Sequence, residues 1–208
     1  NRILTWDFSL TEGENAIFPH YRFERLFQRR NEERAAAPYS GGICFTMTPR
    51  LNQLSLYESA QSFLNPDASH AELAAAFYER LFGPSARELA SLLPYFEIIP
   101  DWGHYSRLDA TRTEYHQKML QMVDLLHSLA GHERIEVSFH PTVPEYRAEL
   151  AFFAQMFADL SAPAPDFDAL HQRYWQHVYA IYDLLPRHVD PRPHAATERL
   201  ISFFKTFK

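Results

Sequence analysis

The feature that most limits what this chain can fold into is a change of hydrophobic period near residue 53. Before it stand two short apolar runs, RILTWDF at 2–8 and ICFTMT at 43–48. They are rich in β-branched and aromatic residues and are ended by the polar turn SLTEGEN and by Pro49. Runs of that length and composition fit strands. Between them FPHYRFERLFQRRNEERAAA sets Phe18, Tyr21, Phe23, Leu26 and Phe27 ahead of a charged tail, with Pro19 suited to a first helical turn. Strand, helix, strand is one βαβ unit, normally parallel and right-handed. Two strands do not make a stable sheet, so the unit is expected to belong to a larger sheet or barrel.

After residue 53 apolar residues recur at helical spacing. QLSLYESAQSFLN reads as an amphipathic helix closed by Asn65-Pro66. Asp67 or Ser69 can cap the next, HAELAAAFYERLFG, with Gly83 at its C-terminal side. Pro84 starts SARELASLLPYFEII, which Pro94 ends or kinks. A long helix follows at about 106–130, with Tyr115, Met119, Met122, Val123 and Leu126 on its apolar face and Gly131 as its stop. Two more helices flank the APAP linker, and HAATERLISFFKTF closes the chain. The expected fold class is therefore mainly α. Residues 1–52 form a terminal βαβ remnant of a TIM-type barrel, and residues 53–208 form an all-helical bundle domain of about six or seven helices.

Composition narrows the partners. At 46% hydrophobic and 15% aromatic residues, with only 6 Gly, the chain can bury a sizeable core and leans towards helix. A net charge of -6 with scattered basic residues argues against a nucleic-acid backbone as partner. No apolar run approaches the ~20 residues of a membrane span, and no signal-peptide pattern is visible. The single cysteine, Cys44, excludes an internal disulfide and a Cys-rich zinc site. Its place within ICFTM reads as a small buried filler. The 11 histidines form no His-Glu-x-x-His and no pair at i, i+4; His171 and His177 fall on different helical faces. Neither a metal nor another cofactor is expected. The stripe Tyr174, Trp175, Tyr179 and Tyr182 reads as bundle core.

In parallel α/β sheets the loops at the C-terminal ends of the strands converge on the ligand. That rule selects Trp6, Asp7 and Glu12 after the first strand, and Thr46, Thr48 and Asn52 after the second. An indole beside a carboxylate suits a sugar ring, which stacks its C–H face on the aromatic while the acid binds a hydroxyl or acts in catalysis. Asp7 and Glu12 are thus the catalytic candidates, with Trp6, Thr46, Thr48 and Asn52 binding substrate. The competing reading makes the acids caps of their own loop and the Trp a cover for the rim.

The stretch from GGICFTMTPRLNQLSLYESAQSFLNPDASHAELAAAFYERLFG onward resembles bacterial glycoside-hydrolase-type proteins in which a (β/α)8 barrel runs directly into a helical domain. The Asn65-Pro66-Asp67 step and the Phe77, Tyr78, Arg80, Phe82, Gly83 helix ending carry the likeness, and WDFSLTEGE with FPHYRF looks like the preceding strand and its helix. The resemblance implies the C-terminal part of a carbohydrate-active enzyme that hydrolyses a glycosidic bond in a complex glycan. It also implies that the other barrel strands lie outside this chain, and with them one of the two carboxylates such an enzyme uses. The isolated chain is then expected to be inactive. Ile3, Leu4, Ile43 and Phe45 are expected to be covered by the remaining barrel segment, by a second chain or by self-association into a homo-oligomer. The alternatives are a helical binding or oligomerisation module without catalysis, and a stand-alone helical protein whose strands pair with another chain.

Overall fold

The computed structural model describes residues 3–10, 32, 39–46, 52–65, 67–96, 105–134 and 141–183. Two strands, β1 (Ile3–Leu10) and β2 (Tyr39–Thr46), pair in parallel. Six α-helices follow among the described residues: α1 (Gln53–Leu64), α2 (His70–Phe82), α3 (Leu89–Phe96), α4 (Tyr105–Ser128), α5 (Val143–Ser161) and α6 (Phe167–Asp183). A 3-10 turn, Pro84–Glu88, joins α2 to α3. The described chain is mainly helical. Of the helix expected before β2 only Glu32 is described, in helical conformation, and the helix expected at the chain end lies outside the described residues.

The strands run later in β1 and earlier in β2 than the apolar runs suggest. β1 continues through Ser9 and Leu10, and β2 takes in Tyr39 to Gly42. Polar and glycine residues flanking an apolar run carry little strand signal of their own, yet ladder hydrogen bonds extend through them once a neighbour is present. The register pairs Trp6 with Ile43, Asp7 with Cys44 and Leu10 with Thr46. One more residue is spent on β1 than on β2 between the last two pairs, so β1 carries a bulge just after Asp7.

Helix boundaries follow local chemistry. Ser69 caps α2 in a reciprocal box: its Oγ accepts from the Glu72 N–H, and the Ser69 N–H donates to Glu72 Oε2 at 2.8 Å. That contact holds the Glu72 carboxyl below the usual range, the backbone hydrogen bond at Ser69 contributing most. Thr142 and Glu145 repeat the device on α5, with Pro144 in its first turn. Gly83 (φ 89°) ends α2 and Gly131 (φ 83°) ends the turn after α4, both in a region that L side chains rarely adopt. Pro94 sits inside α3, which runs only two residues beyond it to Phe96.

The core lies between α2, α3, α4, α5 and α6. Its largest fully buried side chains are Tyr78, Tyr115, Tyr146, Tyr174, Phe82, Phe96, Phe153 and Phe157. Tyr174 thus joins the core as expected; the side chains of Trp175, Tyr179 and Tyr182 are outside the described set. Phe96 meets Phe157 edge-on at 5.0 Å, and Phe77 meets Tyr146 at 6.1 Å and 89°. The α4–α5 contact is the most extensive between helices. Polar ties pin it. Arg112 on α4 donates to the carbonyls of Ser161 (3.0 Å) and Ala162 (2.8 Å), closing the C-terminus of α5. His116 Nδ1 lies 2.7 Å from the Ala158 carbonyl, which only accepts, so Nδ1 carries the proton. Arg147 pairs with Glu133 at 2.6 Å and also donates to the Leu126 carbonyl.

Two outcomes follow. Phe157→Ala empties a fully buried aromatic site at the α3–α5 contact. Its loss is expected to cost about 3–5 kcal/mol in denaturant unfolding. Glu133 feels burial pushing its pKa up, but the Arg147 hydrogen bond and the backbone N–H groups of Glu133 and Gly131 outweigh it and leave the carboxyl below its ordinary value. A depressed carboxyl contributes stability above its unfolded pKa and loses it as pH falls through the folded one. Stability should therefore fall on acidification in wild type, and Glu133→Gln should flatten that part of the pH–stability curve, read from urea midpoints.

Candidate functional site

A carboxylate in a protein interior is costly unless it is paired, so a buried one marks a place where polar chemistry was kept. The clearest case outside the bundle core is on α1. At 100° per residue, Asn52, Ser55, Glu58 and Ser59 line one face of this helix. All four are buried, Asn52 completely and Glu58 to 4% exposure. The same arc holds Leu54. The opposite arc carries Gln53, Leu56, Tyr57, Ala60, Gln61 and Leu64, half-buried to exposed, with Leu64 72% exposed. The helix therefore turns its polar stripe inward. Gln, Ser, Leu and Glu alternate closely enough that sequence periodicity shows an amphipathic helix without showing which arc is covered.

Glu58 meets His70, the first residue of α2, with Oε1 and Nδ1 2.7 Å apart. The contact gives the buried Glu58 carboxyl a polar neighbour on α2. The pair thereby fixes α1 against α2 across the turn that Asn65, Asp67 and Ser69 build. Tyr57 adds an apolar contact at the edge of the same joint, its ring 5.3 Å from Phe77. No single-residue signal points to the Glu58–His70 pair in the sequence. The nearest one is that Glu58 is the only charged residue of α1.

The strand candidates are placed as follows. Trp6 and Asp7 lie within β1, three or more residues before its end, and Thr46 is the last residue of β2. Leu10 and Thr46 are level, so the two strands finish at a common rim. Asn52 lies beyond that rim at the start of α1; its carbonyl accepts from the Leu56 N–H at 3.0 Å. Its burial makes it part of the polar stripe. Glu12 and Thr48 are outside the described residues. Ile3, Leu4, Ile43 and Phe45 are strand residues whose side chains are not among those described. Among the described residues no group of three or more His, Cys, Asp or Glu is placed to hold a metal ion, and no helix is long and apolar enough to cross a membrane. No protein-family model, curated protein or solved structure matches the chain.

The joint can be tested by a double-mutant cycle. Removing one member leaves the other buried, so His70→Ala and Glu58→Ala are each expected to cost about 3 kcal/mol in urea unfolding. The double replacement Glu58→Leu with His70→Phe is expected to recover most of that loss, with a coupling of roughly 1–3 kcal/mol.

Proposed function

We propose that the chain is the C-terminal part of a carbohydrate-active enzyme of glycoside-hydrolase type, acting on a complex glycan from the common rim of β1 and β2. The observation that carries this reading is the parallel pairing of two strands whose C-terminal ends are level and which lead directly into a helical bundle. Parallel strands occur almost only in sheets covered on both faces by helices, and such sheets gather ligands at the C-terminal ends. In this reading the strands belong to a (β/α)8 barrel, and the bundle is its accessory domain.

The bulge after Asp7 bears on the roles. Bulges concentrate at barrel rims and beside active sites, where they re-aim the chain. With β1 reaching Leu10, Glu12 follows the rim directly, and Asp7 sits level with Cys44 inside the sheet. Glu12 is then the acid best placed by chain position to act on substrate, and Asp7 and Trp6 are the residues through which the bulge shapes the pocket. Thr46, Thr48 and Asn52 supply hydroxyl and amide groups beyond the neighbouring strand. At most one of the two carboxylates of a usual glycosidase is in this chain, so residues 1–208 by themselves are expected to be inactive. The second reading, a binding module without catalysis, rests on the uncharged outer arc of α1, and it predicts no turnover in any context.

The test uses the protein as its gene encodes it, assayed on aryl-glycosides and oligosaccharides. Glu12→Gln, Asp7→Asn and Trp6→Ala are compared for kcat, KM and unfolding midpoint. A catalytic carboxylate is expected to lose at least about a hundredfold in kcat, equal to ~2.7 kcal/mol of barrier, at unchanged midpoint. Turnover that survives both carboxylate replacements, or that falls only in step with stability, would exclude this chain from the catalytic centre.

A further inference from the structure

We draw no further inference here: the strongest candidate, the Glu58–His70 side-chain cluster in the joint between α1 and α2, belongs to the site already described and has no second observation beside it that points to a ligand.

Discussion

The packing of α4 on α5 is the contact on which the rest of the helical structure depends. It brings Tyr115, Met119, Met122 and Leu126 against Tyr146, Phe153 and Phe157, all buried. Burying side chains of this size contributes on the order of 1.5–3 kcal/mol each, before the entropy of ordering them is subtracted. What makes the pairing specific is polar. Arg112 and His116 spend their donors on the last carbonyls of α5, groups that a helix end leaves without partners. A sliding of α4 along α5 by one turn would strand those carbonyls and the two side chains together. Arg147 and Glu133 fix the other end, where the chain turns back between the two helices.

The remaining helices are arranged around that pair. α3 offers Phe96 to Phe157, α2 offers Phe77 to Tyr146, and the Arg134 N–H ties the turn after α4 to the Leu81 carbonyl at 2.8 Å. α6 is held by Tyr174 in the core and by Arg173 on Asp159. α1 is the outlier. It touches α2 and β2, buries polar residues, and shows apolar ones. A helix stabilised only by the bundle would do the reverse, since hydrophobic burial is the main source of helix stability in a protein. Its orientation is explained by the Glu58–His70 contact, which commits the polar arc to the α2 side.

Much of the bundle was legible because its signals are local. Ser69, Gly83, Gly131 and the periodic Met119, Met122 and Leu126 act within one or two turns of their own position, and the structure uses each as read. Pro94 reads as an end or a kink, whereas α3 continues through it as far as Phe96. What was not legible is non-local. The extra residue between Asp7 and Leu10 exists only relative to β2, so no feature of β1 by itself reveals it. The Glu58–His70 pair joins two helices across a turn, and neither residue stands in a motif. The inward turn of the polar arc of α1 depends on that pair and was equally hidden. Of the site residues, Asn52 was chosen for its place after a strand, and its complete burial is a tertiary fact.

The bulge falls in β1 between Asp7 and Leu10, and Asn52, which follows β2 in the chain, opens the polar stripe of α1. Asn52, Ser55, Glu58 and Ser59 carry hydrogen-bonding capacity from the start of α1 into the joint with α2. A buried polar row gains nothing over an apolar one in stability and usually costs something. A force that moved α1 would have to break Glu58 from His70 or carry α2 with it. The Glu58–His70 contact therefore ties α1 to α2 within a water-poor joint, where a polar contact resists separation more strongly than it would on the surface.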